Sequence, residues 1–149
     1  MSSHKLKIKW EEFEHHANAL CHRIKETDEY KQGKYKGLLC VTRGGLVPTA
    51  ILARELSIRL VDTMCIVSYD DDDNQTDLNI IKDTSIDNGG EGWLIVDDLV
   101  DTGNTFDIIR KKYPNAHYVS VYAKPKGRKK SDIFMIEIPQ ETWIVLPWE

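Results

Sequence analysis

The sequence predicts an α/β fold: a mostly parallel central sheet flanked by helices on both faces. Three observations lead there. Short runs rich in apolar and β-forming residues occur at 37–42, 61–69, 93–98 and 118–123. Segments with helical spacing precede or separate them. The run WLIVDD, like GLLCVT, is apolar at successive positions, as strands covered on both faces require. In such sheets ligands bind beyond the carboxyl ends of the strands. The two most unusual loops, after Thr42 and after Asp98, fall at that edge.

Trp10, Phe13, Ala17, Leu20 and Ile24 recur every three or four residues, which predicts a helix over 10–25. The polar stretch 26–36 reads as a connection. GLLCVT, 37–42, is a buried strand closed by the Arg43-Gly44-Gly45 turn, and 47–56 is a helix with Pro48 near its start. A second strand over 61–69 is followed by 70–91, which carries no periodicity and reads as a long mobile loop. After the strand 93–98, Phe106, Ile109 and Tyr113 mark a helix stopped before Pro114. YVSVYA at 118–123 and DIFMIEI at 132–138 complete the strands.

The chain has 149 residues, 41% of them hydrophobic, and reads as one domain spanning 1–149. At this length roughly 70% of the unfolded surface can be buried, enough for a core without staples. Lys and Arg total 20 against 24 Asp and Glu, a net charge of −4, so nonspecific nucleic-acid binding is a poor expectation. Cys21, Cys40 and Cys65 are odd in number with no Cys-x-x-Cys pair and read as buried reduced thiols. The residues MSSHKLKIKW lack the apolar centre of a signal peptide, and no run of about 18 apolar residues occurs; a cytoplasmic protein is the expectation. His15, His16 and His22 lack metal spacing and are assigned to a helix surface. The basic cluster Lys126, Arg128, Lys129 and Lys130 reads as a solvated loop, with attraction to nucleic acid or weak peripheral contact at the anionic inner membrane as the sharper alternatives.

The chemistry concentrates in LIVDDLVDTGNTF, 94–106. Gly103 permits a close turn, the first amides of the following helix have no intrahelical partners, and Thr102 and Thr105 add hydroxyls, so a monophosphate suits the loop. No Gly-x-x-x-x-Gly-Lys-Ser/Thr is present, which excludes a Walker-type triphosphate site. Helix capping alone explains Asp101 or Thr102 but leaves Asp97 and Asp98 without a purpose. Adjacent acids at a strand end point to opposite faces, and an unpaired charge facing the core is costly. Sugar hydroxyls and a divalent cation would compensate both. The acidic run at 70–73 fails as a calcium loop, because neither the Gly nor the Glu that such loops need follows.

Taken together the sequence resembles the type I phosphoribosyltransferases, and within them the bacterial xanthine-guanine family. The resemblance rests on RGGLVP at 43–48, LAREL at 52–56, VDT at 61–63, SYD at 68–70, DDLVDTG at 97–103, AKPKGR at 123–128 and IPQETWI with PW at 138–148. It implies that family's fold, with a flexible hood loop at 70–91 and a small purine-side hood. It also implies transfer of 5-phosphoribosyl from phosphoribosyl pyrophosphate to N9 of guanine, xanthine or hypoxanthine, with Mg²⁺ as cofactor and a homo-oligomer, dimer or tetramer, as the assembly.

Residue by residue, the resemblance implies that Asp97 and Asp98 hold the ribose hydroxyls, with Asp98 also on the metal. Asp101, Thr102, Gly103, Asn104 and Thr105, together with Leu99 and Val100, form the phosphoribosyl and 5′-phosphate loop. Asp101 lies beside purine N7 as general base. Arg43 and Gly44 bind the pyrophosphate. Lys124 hydrogen-bonds the 6-oxo group and thereby rejects adenine, Trp143 stacks on the base, and the main chain of Trp143 and Ile144 meets the C2 side. The chain departs from the family pattern at Thr76, where a basic hood-loop residue is usual and Lys82 is a candidate substitute, and at Val145, where an acid is usual. Two other readings compete: a non-catalytic nucleotide-sensing or RNA-binding regulator on the same fold, and a phosphatase or kinase using the acid pair for metal.

Overall fold

The computed structural model describes residues 4–70 and 76–149. The elements run β1 (Lys5–Lys7), α1 (Trp10–Lys25), α2 (Asp28–Lys31), β2 (Gly37–Thr42), α3 (Leu46–Glu55), β3 (Leu60–Asp70), β4 (Thr76–Lys82), β5 (Trp93–Val100), α4 (Asn104–Lys112), β6 (His117–Ala123), β7 (Ile136–Glu137) and β8 (Trp143–Val145). Six strands form the main sheet in the order β4-β3-β2-β5-β6-β7. All neighbours in it are parallel except β4, which runs antiparallel to β3 at the edge.

Two core layers hold the helices to the sheet, and the side-chain alternation of each strand decides which layer it serves. Leu38, Leu94, Val96 and Val121 pack with Leu20 of α1 and Leu52 of α3. Leu39, Val41, Ile95 and Tyr118 pack on the opposite face with Phe106 and Ile109 of α4. In α1 the predicted stripe is buried at Phe13, Ala17, Leu20 and Ile24, with Glu11 and Glu12 in the first turn and Arg23 and Lys25 in the last, charges that complement the helix dipole. Trp10 itself stays exposed, its ring 6.0 Å from that of Trp148, which meets Phe13 edge-on at 4.8 Å.

The structure corrects several expectations. Residues 70–91 are not one loop: β4 pairs along β3 from Cys65 with Lys82 to Asp70 with Thr76, because the long β3 offers an open edge. The acidic run after Asp70 lies outside the described residues. The 26–36 connection contains α2, whose cap is Thr27, accepting from the Tyr30 amide at 3.2 Å. The strand expected over 132–138 shrinks to Ile136–Glu137 and an isolated parallel bridge of Ile133 to Val119, and the Asp132 carboxylate accepts from the Tyr118 amide at 2.7 Å. The unpredicted strands β1 and β8 pair in parallel as a separate small sheet. His16 is not simply a surface residue: it is half-buried, and its Nδ1 is hydrogen-bonded to the buried Tyr122 hydroxyl at 2.9 Å. Cys21 and Cys40 are buried free thiols as expected, whereas Cys65 is only half-buried.

Phe13 joins α1 to both the sheet and Trp148. Phe13→Ala is expected to lower the unfolding free energy by about 3–5 kcal/mol, seen as a reduced urea midpoint with the denaturant slope unchanged.

Candidate active site

The connectivity itself creates the crevice. From β2 the chain moves outward through α3 to β3 and β4, then returns to the other side of β2 as β5. The loops leaving β2 and β5 therefore diverge from neighbouring strand ends, the switch point at which ligands enter doubly wound sheets. The Thr42–Arg43 peptide bond is cis. Beyond it Gly44 lies against the acid pair: a Cβ there would stand 2.6 Å from Asp98 Oδ1 and 2.9 Å from Asp97 Oδ1. Only glycine lets the two loops close to this distance.

Asp97 and Asp98 end the buried part of β5. The Asp98 amide donates to Asp97 Oδ1 at 2.8 Å and the Leu99 amide to Asp98 Oδ1 at 2.7 Å. These bonds do not offset the loss of water. Burial first, and then the charge of Asp98, hold the Asp97 carboxyl well above the ordinary carboxylate range. Burial raises Asp98 as well. Among the described residues no Lys, Arg or His forms an ion pair with either acid, and no cluster of three or more His, Cys, Asp or Glu forms a self-sufficient metal site. A hard divalent cation fits such a pair if most of its remaining ligands come from water and a bound oxyanion.

The next turn forms the candidate anion cradle. Asp97, Leu99, Val100, Asp101, Thr102, Gly103, Asn104, Thr105 and Phe106 line a cavity of about 120 Å³, several times one water's share of liquid volume (about 30 Å³). Gly103 has φ +91° and caps α4, and its carbonyl accepts the first helical bond, from the Asp107 amide at 2.9 Å. The Asn104 amide donates to Thr102 Oγ1 at 3.4 Å, while the Thr105 and Phe106 amides precede the helical ladder and lack intrahelical acceptors, as an anion-binding helix start requires. A side chain at position 103 would strike Lys130.

Lys124, at the carboxyl end of β6, is only 7% exposed. Its Nζ stands 3.7 Å from Asp101 Oδ2. The other carboxylate oxygen of Asp101 accepts from Gln140 Nε2 at 2.7 Å. Trp143 is 65% exposed, with its indole face free for stacking, while Ile144 is buried and offers a ligand its backbone only. β8 is secured by the Trp143 amide donating to His4 O at 2.7 Å and by the Ile8 amide donating to Val145 O at 2.9 Å. Arg43 is exposed beside Gly44 in a larger cavity of about 810 Å³, which Cys65, Trp148 and Glu149 also line.

The sequence-derived residues thus fall into linked groups at one sheet edge: the acid pair with Arg43 and Gly44, the cradle, and the Lys124–Asp101 pair reaching toward the segment that carries Trp143. Lys82 does not join them. It is tied at the foot of β4 by Asp62 at 3.2 Å and by the Thr63 carbonyl at 2.7 Å. In the basic cluster Arg128 pairs with Glu137 and Lys130 with Asp107. The sequence left Gln140, Trp148 and Glu149 unassigned. Gln140 lies within IPQETWI, but no spacing rule connects it to Asp101 across 39 positions.

Residues 9–149 match the phosphoribosyl transferase domain family. A curated xanthine-guanine phosphoribosyltransferase of Chromohalobacter salexigens is 47% identical over 142 residues, covering 95% of this chain and 82% of that protein. The solved xanthine-guanine-hypoxanthine phosphoribosyltransferase of Helicobacter pylori superposes with a TM-score of 0.80 at 27% identity, covering 98% of this chain and 94% of that one. A purine phosphoribosyltransferase structure from Pyrococcus horikoshii shares the fold, with a TM-score of 0.78 at 23% identity over 97% of this chain and 94% of that one.

The acid pair has a measurable cost. A carboxyl held above its unfolded value contributes stability that is complete below the ordinary carboxylate range and is lost as pH rises through the raised value. Asp97→Asn removes that loss. Without divalent cation the variant is expected to be more stable than the wild type at neutral pH by about 0.5–2 kcal/mol, the gain vanishing as pH falls toward about 4. Urea unfolding over a pH series measures it; a gain independent of pH would contradict the account.

Proposed function

The chain belongs to the phosphoribosyl transferase family, and we propose that within it the protein is a purine salvage enzyme. It transfers 5-phosphoribosyl from phosphoribosyl pyrophosphate to N9 of guanine, xanthine or hypoxanthine, giving the nucleoside 5′-monophosphate and pyrophosphate. The observation that carries this reading is the Lys124–Asp101 pair, set at 3.7 Å on the rim of the anion cradle. A buried cation and a carboxylate side by side there suit the 6-oxo acceptor and the N7 donor of one purine edge, a use that a phosphatase, kinase or RNA-binding regulator does not have.

The cradle at 101–105 receives the 5′-phosphate on its backbone amides and the Thr102 and Thr105 hydroxyls. Asp97 and Asp98 accept the ribose hydroxyls, which explains why two acids occupy a place so poor in compensating charge. Asp98, together with substrate oxygens, would hold a Mg²⁺ ion, which when bound would supply charge neutralisation for the pyrophosphate. Arg43 and the Gly44 amide receive the same leaving group from the β2 side. As the bond from C1 of the sugar to the pyrophosphate oxygen breaks and C1 gains cationic character, N9 forms the new bond and the purine gives up one proton. Asp101 accepts that proton at N7, which keeps N9 electron-rich while the sugar is reactive. Lys124 donates to the 6-oxo group and rejects a 6-amino purine, whose donor would face a donor. Trp143 stacks on the base, and the backbone of Trp143 and Ile144 meets its C2 side.

The hood loop, which reaches from the end of β3 into β4, would exclude water from the reacting sugar. A homo-oligomer, dimer or tetramer, and a cytoplasmic location belong to the same proposal and rest on the family resemblance. Weak peripheral membrane contact would act through the exposed Lys126, Arg128 and Lys129, of which Arg128 also pairs with Glu137. Among the described residues no helix is long and apolar enough to cross a membrane.

Wild-type protein mixed with phosphoribosyl pyrophosphate, Mg²⁺ and guanine is expected to release pyrophosphate, and excess EDTA to stop it. Asp101→Ala should lower kcat/KM by about 10²–10⁴-fold, measured with a coupled pyrophosphatase assay. No release from any 6-oxopurine would end this reading.

A further inference from the structure

Asp101 projects from the exposed bend between β5 and α4, where no ladder bond fixes its side chain. One residue from a distant segment does. Gln140, between β7 and β8, donates from Nε2 to Asp101 Oδ1 at 2.7 Å, and its Oε1 accepts from the Lys126 amide at 2.9 Å. The second bond settles the orientation of the first. A backbone N–H only donates, so the amide oxygen must face Lys126 and the NH₂ must face Asp101. Gln140 is therefore presented to Asp101 as a donor and cannot offer it an acceptor without breaking the bond to Lys126.

We infer that Gln140 is the positioning residue for Asp101, clamping one carboxylate oxygen so that the other faces the purine. This rests on the reading of Asp101 as general base. The geometry gives the clamp a second effect. Lys124 Nζ lies 3.7 Å from Asp101 Oδ2, beyond direct hydrogen-bond range. With Oδ1 anchored by Gln140, the carboxylate does not turn to close on the lysine, and both groups stay available to the base. The same amide joins three chain segments, the loop after β5, the turn after β6 and the turn that leads into the strand carrying Trp143, so the position of the general base is set from the purine side of the site. A misplacement of about 1 Å in such a group can cost a factor of about 100 in rate.

Two substitutions separate this role from a merely structural one. Gln140→Glu keeps an oxygen for the Lys126 amide but sets a carboxylate against Asp101; Gln140→Met removes both bonds. With saturating guanine and phosphoribosyl pyrophosphate at about pH 8, where carboxylates are ionised, Gln140→Glu should lower kcat by about 10–100-fold. Its KM for phosphoribosyl pyrophosphate should stay within about twofold and its melting temperature near that of the wild type. In an Asp101→Asn background the same change should cost nothing further, because the Asn amide can donate to the introduced carboxylate. Gln140→Met should show the kcat loss together with a raised KM for guanine. Wild-type kcat in either single variant, or an equal loss in both backgrounds, overturns the role given to Gln140. A wild-type protein that releases no pyrophosphate sinks the transferase reading itself and this inference with it.

Discussion

Asp97 and Asp98 occupy adjacent positions in the second half of β5, and Gly44 of the neighbouring loop closes on both of them. This contact between the loop after β2 and the end of β5 governs the rest of the ligand edge. It exists because the strand order reverses at β2, so two loops that would otherwise run side by side face each other across a gap. It requires a residue without a side chain at position 44, since any Cβ would meet carboxylate oxygens at less than contact distance. The pair is left without a compensating cation among the described residues, and the cavity lined by 101–105 opens one turn further along the chain.

How far this was legible in the sequence depends on what kind of signal each element carries. β2 and β5 are covered on both faces, so their residues are apolar at successive positions and stand out from the chain. α1 shows its buried stripe directly. β4 does not, because TDLNIIK mixes polar and apolar residues without regular alternation, and its pairing depends on the spare length of β3, which no local pattern reveals. β7 was overestimated for the opposite reason. DIFMIEI has strong β character, yet it pairs with β6 only through the isolated bridge at Ile133 and through Ile136–Glu137, and the Asp132 side chain accepts from the Tyr118 amide. β1 and β8 are three residues each and separated by most of the chain. Their pairing is a tertiary fact.

The candidate site divides in the same way. Asp97, Asp98 and the residues from Asp101 to Thr105 are contiguous, so one stretch of sequence discloses an acid pair and an anion cradle together. Arg43, Gly44, Lys124 and Trp143 are individually ordinary, and only their order in a familiar arrangement singled them out. Gln140 was invisible as a functional residue because its meaning lies in two hydrogen bonds to loops far away in the chain. Lys82 was overread for the converse reason. It has the right charge at a plausible distance in sequence, but Asp62 and the Thr63 carbonyl hold it at the other end of the hairpin.

The small β1–β8 ladder separates two kinds of residue in one short strand. Ile144 faces the core, while Trp143 before it stands out in solvent and Val145 after it lies half-buried, and among the described residues their strand neighbours are the exposed Lys5, Leu6 and Lys7. The six-stranded sheet contributes nothing to this ladder. The part of the molecule that would read the base is thus an appendage to the part that would hold the sugar and its phosphates. If positions 143 and 145 read the base as proposed, drift there would alter which ring is preferred without disturbing the crevice at β2 and β5. A lineage built this way can explore new nucleobases while its phosphoribosyl chemistry stays under strict selection.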